Sequence, residues 1–135
     1  MKITVQTNVR AKLGKVWDYW TKPEHIVNWN FANDAWCCPS AMNDVKAGGE
    51  FNWRMESKSG EMGFDFTGNY VKIIEKELIL YTMTDGRIVE INFSQNANVV
   101  TIRETFDAER THADDEQRAG WQAILENFKN YVENN

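Results

Sequence analysis

The sequence predicts an α+β fold: a curved antiparallel sheet of six to seven strands, two short helices after the first strand, and one long C-terminal helix packed across the sheet. Three observations predict it. From Phe51 to Phe106 apolar residues recur at every second position, and short polar turns interrupt the pattern. From Ala113 to Glu133 they recur at helical spacing. Ahead of both, a single alternating segment is followed by two short helical patterns.

In chain order, Ile3, Val5, Thr7 and Val9 alternate with Lys2, Thr4, Gln6 and Asn8, which describes a half-buried strand. Leu13, Val16, Trp17 and Trp20 then share one helical face, so a helix is expected over 12–20. In "TKPE", Thr21 is expected to cap a second helix, Glu24 to complete a capping box, and Pro23 to fill the first turn; that helix should end near Asn30. Residues 31–41 read as a loop that folds Phe31, Trp36, Cys37 and Cys38 back over apolar surface. "AGGE" at 47–50 marks a turn, and "SKSGEM", "EKE", "TDGR" and "QNAN" separate the strands that follow. Gly68 is expected at a bulge. Short links of this kind make successive strands antiparallel neighbours. The last helix opens on Asp114, Asp115 and Glu116, which its dipole favours, and carries Trp121, Ile124, Leu125, Phe128, Tyr131 and Val132 as an apolar stripe. Gly120 inside it costs about 1 kcal/mol relative to Ala. The expected compensation is close approach to the sheet or to a bound molecule.

The chain has 135 residues, one domain's length, with 42% apolar residues, enough for a core without staples. Six Trp and seven Phe are many for this size, and an aromatic excess can line a cavity or an interface. The net charge of −5 and the scattered Lys and Arg speak against a nucleic-acid footprint and against an anionic membrane surface. The N-terminus lacks the apolar core of a signal peptide and no segment has membrane-spanning length, so a cytoplasmic location is expected. Adjacent Cys37 and Cys38 make no disulfide framework, and with His25 and His112 alone to help them no metal site or cofactor is expected.

The stretches "VWDYWTKPEHIVNW" (16–29), "DVKAGGEFNWRM" (44–55), "GNYVKIIEKELILYTM" (68–83) and "GWQAILENFKNYV" (120–132) carry a resemblance in their order and spacing. The chain resembles the helix-grip fold of START domains, the birch-pollen allergen and polyketide cyclases (the SRPBCC superfamily), within the branch named after the activator of the heat-shock-protein-90 ATPase. The Gly-Trp that opens the last helix is a habit of that branch. The resemblance implies a long helix lying over a strongly curved sheet, with an apolar cavity between them. Across the superfamily the ligands are lipids, sterols, polyketides and plant hormones. The namesake domain works within a longer, two-domain chain, so a chaperone-regulator role is not the expected one here. A homodimer through an edge strand or the aromatic loop is a further expectation.

A cavity of that kind would draw ligand-binding residues from three places. The connector and loop offer Trp17, Trp20, Trp29, Phe31 and Trp36, with burial of the first helix as the competing reading for Trp17 and Trp20. The middle strands offer Phe51, Trp53, Phe64 and Phe66. The closing helix offers Trp121, Leu125 and Phe128. The expected partner is a small lipophilic or aromatic molecule. No nucleophile elbow or phosphate loop occurs, so the one catalytic candidate is Glu104, which alternates with Val100 and Ile102. If that row faces inward, Glu104 is a carboxyl in or near an apolar cavity, suited to recognition or proton transfer. The competing reading places it at a strand end or bulge that reaches water. Arg54 and Arg103 fall on the opposite faces of their strands and are expected outside.

Overall fold

The computed structural model describes residues 1–135. Seven strands form one antiparallel sheet: β1 (Lys2–Val9), β2 (Trp36–Asn43), β3 (Glu50–Ser57), β4 (Gly63–Ile74), β5 (Leu78–Met83), β6 (Ile88–Asn96) and β7 (Val99–Asp107). Their order across the sheet is β1-β7-β6-β5-β4-β3-β2, so the last six strands meander and the first pairs with the last. Helices α1 (Leu13–Thr21) and α2 (Pro23–Ile26) link β1 to β2, and α3 (Asp114–Glu133) ends the chain.

The break between α1 and α2 differs in mechanism from the capping box that the sequence suggests. Thr21 belongs to α1, and its hydroxyl donates back to the Trp17 carbonyl at 2.8 Å. Lys22 ends the first helix and starts the second with an extended backbone, φ −81° and ψ 129°. The residue before a proline avoids the helical region, so Pro23 bends the chain through Lys22 and no side-chain cap is needed. The second helix is also shorter than expected and stops at Ile26.

The segment expected to be a loop over 31–41 contains strand β2. Its register against β3 shifts between Cys37 and Ser40, and Pro39 sits in that irregularity. An edge strand can hold a proline and a bulge where a central strand cannot. That is why its composition resembles a loop. The bulge in β4 likewise falls between Tyr70 and Lys72, not at Gly68. Gly68 serves close approach instead: a Cβ there would lie 2.3 Å from the Thr82 carbonyl oxygen and 2.7 Å from the Phe51 ring.

Helix α3 packs along β1 and covers its free edge. Arg118 donates to the Thr4 carbonyl at 2.9 Å, and Gln122 to the Gln6 carbonyl at 3.0 Å. Lys129 reaches the Asn8 carbonyl, and Glu133 accepts the Arg10 amide at 2.8 Å. An unpaired edge is a template for aggregation, and here helix side chains occupy it. Below this polar seam, Leu125, Phe128 and Val132 are fully buried in the single apolar core, which also holds Ile3, Val5 and Val9 of β1 and Val16 and Trp17 of α1. No helix is long and apolar enough to cross a membrane.

Candidate functional site

The C-terminal half of α3 closes onto the core, whereas between its N-terminal half, which lies along β1, and the middle strands there is a cleft of about 1050 Å³. The floor is the concave face of the sheet: Trp53 and Met55 from β3, Phe64 and Phe66 from β4, Tyr81 and Met83 from β5, then Ile91 and Glu104. Gln117, Gly120, Trp121 and Ile124 of α3 form the roof. Trp20 and Trp29 from the helical connector close one side with Asn30, and Trp36 at the start of β2 stands beside them. Asp85, Arg87, Glu109 and His112 rim the other side.

The rings line this space in contact with one another. Trp53 stacks on Phe66 at 5.5 Å and meets Tyr81 edge-on at 6.0 Å. Phe66 meets Trp121 of the roof at 6.4 Å, and Trp121 stacks on Phe106 at 4.0 Å. Trp20 and Trp29 lie 4.9 Å apart, and Trp36 meets Phe64 at 6.0 Å. The Trp53 indole N–H is buried without an acceptor. Such an orphan donor costs about 1–3 kcal/mol.

Five of the sequence-named residues do not line the cleft. Trp17 packs edge-on against Phe93 at 5.3 Å. Phe51 lies beneath Trp53, stacked at 4.2 Å, and is 1% exposed. Leu125 and Phe128 are in the core, because their positions on α3 fall where the helix is already down on the sheet. Phe31 is half-buried beside the core, and its carbonyl accepts from Asn127 at 2.7 Å. Sequence reasoning did not select Asn30, Met55, Tyr81, Met83, Ile91 or Gln117 for this wall. For Met55, Tyr81 and Ile91 the signal was present, because each is in phase with an inward aromatic or aliphatic neighbour on its own strand.

Glu104 resolves one open choice. It is mid-strand, paired with Val5 on one side and Ile91 on the other, with no bulge, so the strand-end reading fails. It is 6% exposed and faces the cleft, and no hydrogen bond or ion pair from the chain reaches its carboxyl. Burial pushes its pKa up to about 8, leaving it uncharged at neutral pH. Tyr81 is also held well above its usual value, first by burial and then by Glu104. Arg103 is exposed, and the half-buried Arg54 pairs with Glu56 at 3.0 Å and Asp65 at 3.6 Å.

Glu109 and Gln117 have a structural role at the rim. The Gln117 amide accepts from the Glu109 N–H at 2.9 Å and donates to the carbonyls of Glu109 and His112 at 3.1 and 2.9 Å. Glu109 in turn accepts from the Thr111 and His112 amides. These bonds fix the turn that leads from β7 into α3.

Residues 10–133 match the family model described as Activator of Hsp90 ATPase homolog 1-like protein. The chain belongs to this family. An AHSA1-like protein from Aeromonas hydrophila, solved in solution, shares 38% identity over 99% of this chain and 93% of its own, with a TM-score of 0.93. A protein from Cytophaga hutchinsonii shares 47% identity over 98% of this chain and 92% of its own, with a TM-score of 0.86. A third, from Chromobacterium violaceum, is 18% identical over 98% of this chain and 96% of its own; its TM-score of 0.87 shows the shared fold alone. No curated protein matches. The family match spans every residue of the cleft wall, whereas β1 lies ahead of it.

Within the Gly-Trp pair at 120–121, Gly120 does not serve close packing, because a Cβ there would meet nothing within 4 Å. It borders the cleft, so the missing side chain leaves room in the cleft. Gly120→Ala should therefore stabilise the chain by about 1 kcal/mol in urea denaturation, the ordinary helix-propensity difference. A loss of stability of that size would mean that the position is crowded after all.

Proposed function

We propose that this chain binds a small lipophilic or aromatic molecule in the cleft between the sheet and α3. One observation carries the reading: about 1050 Å³ of space walled by aromatic rings, with one buried, unpartnered carboxyl facing into it. Ligand sites are concave, mostly apolar and equipped with few polar groups, at volumes of roughly 300–1,000 Å³. Glu104 and the Tyr81 hydroxyl are those groups here, and the rings supply the contact area.

The tryptophans provide the test. Five of the six border the cleft, while Trp17 packs against Phe93 at 5.3 Å, away from it. In NMR titrations with a panel of aromatic and aliphatic hydrophobes, a cleft ligand should shift the indole signals of Trp20, Trp29, Trp36, Trp53 and Trp121 and leave Trp17 in place. A panel that moves none of the five refutes the reading.

Glu104 supports a second reading, an enzyme of the cyclase or hydrolase kind. A carboxyl with a pKa of about 8 in the wall of a largely apolar cleft can give or take a proton near neutral pH. Glu104→Gln would then abolish turnover while the indole shifts caused by substrate remain.

A further inference from the structure

Resting on the cleft being a ligand site, we propose that its occupant is a lipophilic cation: an amine or quaternary ammonium on an aromatic or aliphatic body, with its charge against Glu104 and the surrounding ring faces. Three observations converge on this class. The first is a buried carboxyl with no partner in the chain. Glu104 lies between Val5 and Ile91 in an inward row, where an apolar residue would complete the core. No cation of the chain reaches it, because Arg87, the arginine of the cleft wall, is bound to Asp85 at 2.8 Å. The second is the charge of the wall. Asp65 is answered by Arg54 and Asp85 by Arg87, whereas Glu109 and Glu116 meet no Lys or Arg, so the cleft disfavours an anion. The third is the set of π-faces. Trp20, Trp29, Trp53, Phe66, Tyr81 and Trp121 bound the same space, and aromatic faces attract cations most strongly where water is excluded. A neutral hydrophobe would use the rings and leave the carboxyl without a bonding partner.

A permanent cation separates this class from the others, since the ligand itself does not titrate. The full chain is titrated with naphthylmethyl-trimethylammonium, its uncharged isostere neopentylnaphthalene and naphthylacetate, read on the indole signals. The ammonium ion should bind tightest. Binding it requires Glu104 to ionise, so its affinity should rise by about tenfold per pH unit from pH 6 and level off above about 8, where the free carboxyl is already charged. The other titratable or charged groups of the wall are Tyr81, Asp65, Asp85, Arg87, Glu109, Glu116 and His112. His112→Gln should leave the profile in place, which assigns it to Glu104. Glu104→Gln should weaken the ammonium ion by at least about tenfold and flatten the profile, with little effect on the isostere. An isostere or naphthylacetate that binds as tightly as the ammonium ion overturns the cation and leaves the cleft reading standing. Failure of all three probes to move any cleft indole overturns both. An unchanged affinity and profile in Glu104→Gln removes Glu104 from the site.

Discussion

Replacing Glu104 by Gln will make the protein more stable, and the gain will grow with pH. The folded-state pKa is raised to about 8 from 4.5, and the cause is burial. Between those values the folded chain holds a proton that the unfolded chain has released, so stability falls as pH rises. The contribution is intact below about pH 4.5, about 3 kcal/mol is lost by pH 7, and about 5 kcal/mol is lost once pH passes 8. Those figures are ceilings, since water in the cleft screens part of the charge. Gln has the shape of the protonated acid and does not titrate. Urea midpoints measured from pH 5 to 9 should therefore diverge, with wild type declining and the variant nearly level. Parallel curves would mean that the carboxyl is solvated and that its burial does not govern its charge. The sign also bears on function. A residue that destabilises the chain at working pH has a reason other than folding to be there.

The strands and the last helix were legible because each shows a clean period. In β1, β6 and β7 the inward residues alternate without a break, and the register follows from that. Strand β2 was not legible, because an edge strand with Pro39 in its irregularity has neither alternation nor a continuous apolar run. The α1–α2 break was placed within a residue, but its mechanism was misassigned. Thr21 and Glu24 have the spacing of a capping box, yet Pro23 forces the bend first, and Thr21 turns back onto its own helix. For the cleft, the sequence supplied the rings but not the depth at which each one sits. Trp121 and Leu125 are one turn apart on α3, and the cleft ends between them: Trp121 is in its roof and Leu125 is in the core. Periodicity identifies the face of a helix; only packing shows where along that face the core ends and the cleft begins.

That boundary makes Phe128→Ala the most damaging single truncation expected. Phe128 is fully buried and meets Trp20 and Trp29 edge-on, each at 4.8 Å. It is where α1, the turn after α2 and α3 come together. Truncating a buried Phe costs about 3–5 kcal/mol, and the two ring pairs lost with it place this variant at the upper end of that range. Against a typical total of about 5–15 kcal/mol, the variant should be marginal at room temperature. Phe64→Ala makes the contrast: Phe64 lines the cleft and is 49% exposed, so its loss should cost less than about 1 kcal/mol. Phe128→Leu refills most of the volume and should fall between them. The cleft should respond as well. Trp20 and Trp29 turn one side to Phe128 and border the cleft on another, so losing the backing joins the cleft to the core and lets both indoles move. Trp121 is held by Phe106 at 4.0 Å and should keep its signal. Urea denaturation of the three variants, with indole spectra of Phe128→Leu, tests this. Equal losses for Phe128→Ala and Phe64→Ala would show that the three-helix joint does not hold the cleft open.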